Sequence, residues 1–191
     1  MQPIDRSEIL GLGDYEQIRA RFRARVIEEK RPRRVKLGEQ ISAVFENRDS
    51  VLLQIQEMLR TERITSESGI AHEIETYNGL IPAEGALSLT LFVEIPDQVI
   101  RDRMLIELKG LETCVSVEVD GALAPATSDP KSVMPDRTTA VHYFMVKLTD
   151  EQAAAIRAKT ARVAVRVDHP RYTARTELGP ASISKLAEDL A

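Results

Sequence analysis

The sequence has no tryptophan, a single cysteine and an aromatic content of only 4%. Its core must therefore come from Leu, Ile, Val and Ala, and Cys114 cannot form a disulfide within the chain. No apolar run approaches the ~20 residues needed to span a bilayer. The start, MQPIDRSEIL, lacks a basic segment followed by an apolar one, so no signal peptide is expected. These absences fit a reducing cytoplasm and no membrane association. No G-x-G-x-x-G, Walker loop, G-x-S-x-G or C-x-x-C occurs, and no bound cofactor or metal is expected. What remains is a globular balance of 43% hydrophobic and 29% charged residues over 191 positions, enough for one compact domain or two small ones.

The stretch Phe45–Pro82 carries the densest set of polar residues on or beside apolar helix faces. After a short extended run, Val35–Phe45, Asn47 or Asp49 caps a helix whose apolar stripe is Val51, Leu52, Ile55, Met58 and Leu59. At 100° per residue Glu62 falls inside that stripe and Gln56 at its edge. An ionised carboxylate there needs a partner or a ligand, unless the helix has already ended. A second helix, capped by Thr65 or Ser66, buries Ile70, Ile74, Tyr77 and Ile81, with Glu73 and Asn78 flanking. His72 points the opposite way, and adjacent helical residues diverge too far for His72 and Glu73 to chelate one ion. The candidate ligand-binding residues are thus Glu62, Glu57, Gln56, Glu73, Tyr77 and Asn78.

A longer helix is expected over Asp14–Lys30, with Tyr15, Ile18, Phe22 and Val26 on one face and Pro32 ending it. Between Arg19 and Lys36, nine basic residues face two acids, a local charge of +7 in a chain whose net charge is −4. One reading is a solvated face that pairs with the acidic remainder. The other is an anion site built from Arg19, Arg23, Arg31, Arg33 and Arg34. Tyr15 and Phe22 sit on the apolar face, which argues against base stacking and so against nucleic acid as a partner.

The second half is more regular. Strands are expected at Leu87–Ile95, Cys114–Val119, Val141–Leu148 and Arg162–Asp168, with helices after the first and third. The order β-α-β-β-α-β predicts a ferredoxin-like sandwich. Gly121–Thr138 is expected to be a long loop holding three prolines, with a short strand and a last helix after His169-Pro170. The predicted architecture is α+β: a helical N-terminal region with a short strand (1–82), packed on a ferredoxin-like region (83–191) in one continuous core. His142 and His169 are more often structural than catalytic.

The runs FENRDSVLLQIQEMLRTERI, HEIETYNGLIP and RVDHPRYTARTEL resemble a bacterial family of unknown function, number 3501 among such families. The resemblance spans essentially the whole chain and implies no catalytic residues. It does imply genes often placed near those for rubrerythrin-like proteins and iron–sulfur or flavin oxidoreductases. The leading expectation is a non-enzymatic, homo-oligomeric accessory protein with a redox or oxidative-stress partner. The alternatives are a small enzyme or binding protein with a polar pocket around Glu62, Glu73 and Tyr77, and anion or nucleic-acid binding by Arg19–Lys36.

Overall fold

The structure, a computed structural model, describes residues 1–190. A short 3-10 turn (Arg6–Glu8) leads into α1 (Leu12–Lys30), which ends in a second 3-10 turn at Pro32. A hairpin follows, β1 (Arg34–Leu37) and β2 (Ile41–Glu46), then α2 (Arg48–Thr61) and α3 (Glu67–Asn78). The second half runs β3 (Ala86–Val93), α4 (Gln98–Glu107), β4 (Val115–Val119), β5 (Ala122–Thr127), β6 (Val141–Lys147), α5 (Asp150–Arg157), β7 (Val163–His169), β8 (Tyr172–Glu177) and α6 (Pro180–Asp189).

All eight strands join one sheet in the order β1-β2-β3-β6-β5-β4-β7-β8, with every neighbouring pair antiparallel. The sheet curls until its two edges meet. Thr176 Oγ1 on β8 donates to the Lys36 carbonyl on β1 at 2.5 Å, and Tyr172 Oη donates to the Leu37 carbonyl at 2.5 Å. Gly38 makes this seam possible. Its φ is +72°, and a Cβ there would lie 2.5 Å from the Tyr172 hydroxyl. Side chains thus cover the two edges that an open sheet would leave exposed.

Alternation along the strands sends Leu37, Phe45, Leu89, Phe144, Val117 and Val165 to the inside, where α4, α5 and α6 add Leu105, Ile156 and Leu186. A second, smaller core lies outside the sheet. There α2 and α3 pack Val51, Ile55, Leu59, Ile70 and Ile74 around Ile4 and Ile9 of the N-terminal segment.

The predicted ferredoxin-like sandwich under a helical half is therefore corrected. Two features overturn it. The run read as one extended segment is the β1–β2 hairpin, which extends the sheet directly from β3. The expected Gly121–Thr138 loop begins with β5, which inserts between β4 and β6. Pro125 is tolerated because the β5–β6 ladder is confined to Ala126 and Thr127, leaving the start of β5 edge-like on that side.

Candidate functional site

β2 is buried along its whole length. Its inner residues face the main core, whereas Ser42, Val44 and Glu46 point outward, beneath the helices. Glu46 ends the strand, and Asn47 then caps α2 through a reciprocal box with Ser50. The tight turn leaves the Glu46 carboxylate just before a helix N-terminus, where the helix dipole favours negative charge. Register does the rest: Val44 opposes Thr90, and Thr90 opposes Tyr143, so Glu46, Thr90 and Tyr143 share the outer face of β2, β3 and β6. Thr90 Oγ1 donates to Glu46 Oε1 at 2.9 Å, and Ser50 Oγ donates to Oε2 at 2.5 Å. Lys30, the last residue of α1, places Nζ 3.2 Å from Oε2.

Glu46 is only 7% exposed, yet a cavity of about 260 Å³ opens above it. Lys30 and Gln54 stand on the helical side, Val51, Leu80, Phe92 and Val141 supply apolar wall, and Tyr143 closes the far side. A second hollow of about 290 Å³ continues past Leu80 and Tyr143 toward Thr76 and Thr127. Burial, followed by the nearby Tyr77 and Glu46, pushes the Tyr143 hydroxyl above its ordinary pKa, so it stays a neutral donor. The arrangement can hold a small molecule with one polar end. It does not place a nucleophile beside a general base.

The residues singled out from the sequence are distributed differently. Glu62 is the exposed C-cap of α2. Gln56 is buried and holds the N-terminal segment: its Oε1 accepts from the Leu10 N–H at 2.8 Å and its Nε2 donates to the Leu10 carbonyl at 3.3 Å. Asn78 grips Ile4 in the same two-way fashion, at 2.8 and 3.0 Å. Glu57 accepts from Tyr15 Oη at 2.6 Å and from Arg19 Nε and Nη2 at 2.8 Å, with Arg23 at 3.7 Å. Those bonds hold the Glu57 carboxyl at about 2, well under the ordinary range. Glu73 is half-buried on α3. Tyr77 is half-buried on α3 and packs against the smaller core with Ile70 and Ile74.

Several arginines of the basic segment are ion-paired within the chain, and of those pairs only Arg33–Asp189 is buried. Arg31 pairs with Glu28, Arg33 with Asp189, Arg34 with Glu94, and Arg25 with Asp49. Two buried histidines serve the fold as well. His142 Nε2 lies 2.9 Å from Thr138 Oγ1, which donates to Glu112 at 3.1 Å. His169 bridges the Lys109 carbonyl and the Arg171 N–H. Cys114 sits half-buried at the foot of β4. Among the described residues no group of three or more His, Cys, Asp or Glu is placed to hold a metal ion, and no helix is long and apolar enough to cross a membrane.

Fold and cleft together define an α+β protein with a nearly closed antiparallel sheet and a polar cavity between its outer face and a helical layer. The chain belongs to the family described as "Protein of unknown function (DUF3501)", whose model matches residues 3–190. It is similar to a crystal structure of a novel protein of unknown function from Burkholderia pseudomallei, with 32% identity, coverage of 100% of both chains and a TM-score of 0.92. No curated protein matches the chain.

Proposed function

We propose that this protein binds a small molecule in the cleft between α2 and the outer face of β2, β3 and β6. The observation that carries the reading is Glu46, a nearly buried carboxylate with three protein partners, at the floor of a cavity of about 260 Å³. Protein interiors are close-packed, and a purely structural ion pair needs no such space above it. The test is a fragment screen by protein NMR. Hits are expected to shift resonances of Val51, Leu80 and Tyr143, and Gln54→Trp, which fills the cleft, should weaken them more than about tenfold. Hits that cluster elsewhere and ignore Gln54→Trp would remove the reading.

A second reading keeps the accessory, homo-oligomeric protein expected from the sequence, with a redox protein as a further candidate partner. Its support is an apolar strip on α4, where Val99, 80% exposed, and Ile106, 57% exposed, lie two turns apart on one face. Met134 is also exposed on the following segment, which Thr138 and Arg137 tie to α4. Sedimentation velocity should then show a dimer that Ile106→Asp converts to monomer. A wild-type monomer at every concentration would rule out the homo-oligomer.

A further inference from the structure

The hydrogen-bonding capacity left in the cleft is unevenly divided. Glu46 has both oxygens engaged, Oε1 by Thr90 and Oε2 by Ser50 and Lys30. Most of what is unspent belongs to donors. Lys30 carries three N–H bonds and spends one on Glu46. Among the described residues, the Tyr143 hydroxyl and the Gln54 amide have no hydrogen-bond partner, and both line the cavity. The acid lies on the closed side, with its side chain 8% exposed, while the Lys30 side chain is 30% exposed. An anion entering from the open side therefore meets the ammonium before the carboxylate. Arg34, ion-paired with Glu94, stacks 5.7 Å over the Phe92 ring at this wall. The other walls are aliphatic: Val51, Leu80 and Val141.

From this we infer that the cleft takes a small monocarboxylate with an apolar body, its acid group accepting from Lys30 and Tyr143 and its body lying against Val51, Leu80 and Val141. The inference rests on the cleft reading above and adds the chemical class of the ligand. Gln54 supplies an adjustable third contact, because its amide can donate or accept. Charge-assisted bonds are roughly twice as strong as neutral ones, which separates an acid from an alcohol of the same length.

The test uses three six-carbon probes: hexanoate, hexan-1-ol and hexylammonium. Binding to the full chain is followed by calorimetry and by NMR shifts of the Val51, Leu80 and Val141 methyls. Hexanoate should bind about tenfold tighter than hexan-1-ol, with hexylammonium weakest. Lys30→Met should bring hexanoate down to the level of the alcohol, and Tyr143→Phe should weaken it about threefold. Lys30→Met also strips Glu46 of its cation, so Lys30→Arg is the paired variant: it keeps the charge and should keep the preference. If hexylammonium or hexan-1-ol matches or exceeds hexanoate while moving the same methyls, the ligand class is overturned and the cleft reading stands. If no probe moves those methyls, both fall.

Discussion

Arg33→Ala is expected to lower the unfolding free energy by about 3–5 kcal/mol, to be read by urea denaturation at neutral pH. Arg33 is 2% exposed, and its guanidinium grips the Asp189 carboxylate through both Nη atoms. The side chain of Asp189 is 5% exposed. This pair joins the turn between α1 and β1 to the last helix, 156 residues away in sequence. Burial already pushes the Asp189 carboxyl above its ordinary value, against the pull of Arg33. Among the described residues Arg33 Nε has no hydrogen-bond partner, so part of the desolvation goes unrepaid. Removing the arginine leaves a buried carboxylate that must take up a proton or draw in water. Arg33→Met with Asp189→Leu removes both charges and fills the volume, and should recover most of the loss. A single-variant loss under about 1 kcal/mol would place the pair in the range of a solvated surface bridge.

The same pair shows where sequence reasoning stops. Arg33 was legible as one cation among nine, but its partner lies in the final helix, and nothing local links the two. Apolar repeats located α2, α3 and β4, and apolar runs or caps and stops located β3, α4, β6, α5 and β7. They miss β5, whose residues Ala122–Thr127 contain three alanines and a proline and carry little strand propensity. They merge β1 and β2 into one extended run because a single glycine, Gly38 at φ +72°, is the only break between them. Those two omissions turn a near-closed eight-stranded sheet into a four-stranded sandwich on paper.

The site was hidden for a related reason. Glu46 ends an extended run, and on paper it is an ordinary polar residue before a helix cap. Only the strand register puts Thr90 and Tyr143 on its face, and only the return of α1 brings Lys30 to it. One signal was available: in ISAVFE, Ser42 and Glu46 share a strand face with Val44, beside helices that need an apolar surface to cover. Gln56 and Asn78 were legible as polar groups beside buried stripes. Their partners, the backbones of Leu10 and Ile4, lie in an N-terminal segment with no periodicity to announce it.

Acid titration should separate the Glu57 cluster from the rest of the molecule. Arg19, then Tyr15 and Arg23, hold the Glu57 carboxyl at about 2, below its ordinary 4.5. A carboxyl whose folded pKa is depressed contributes stability that is complete above its unfolded pKa and is lost as pH falls toward the folded one. The expected window therefore runs from 4.5 down to about 2. The contribution should be about 2 kcal/mol, set below the full linkage value because a quarter of the side chain is exposed. Glu57→Gln should lose that amount at neutral pH and show a flatter acid limb in urea midpoints taken across this window. Asp189 works with the opposite sign: its raised carboxyl favours the folded state below its unfolded value, and that contribution is lost as pH rises. Glu8, Glu67 and Glu118 are also held below their ordinary values and Asp189 opposes them, so Glu57→Gln should change the acid limb by the Glu57 contribution alone. Parallel acid limbs for wild type and Glu57→Gln would show that the α1–α2 cluster is not what ties stability to pH.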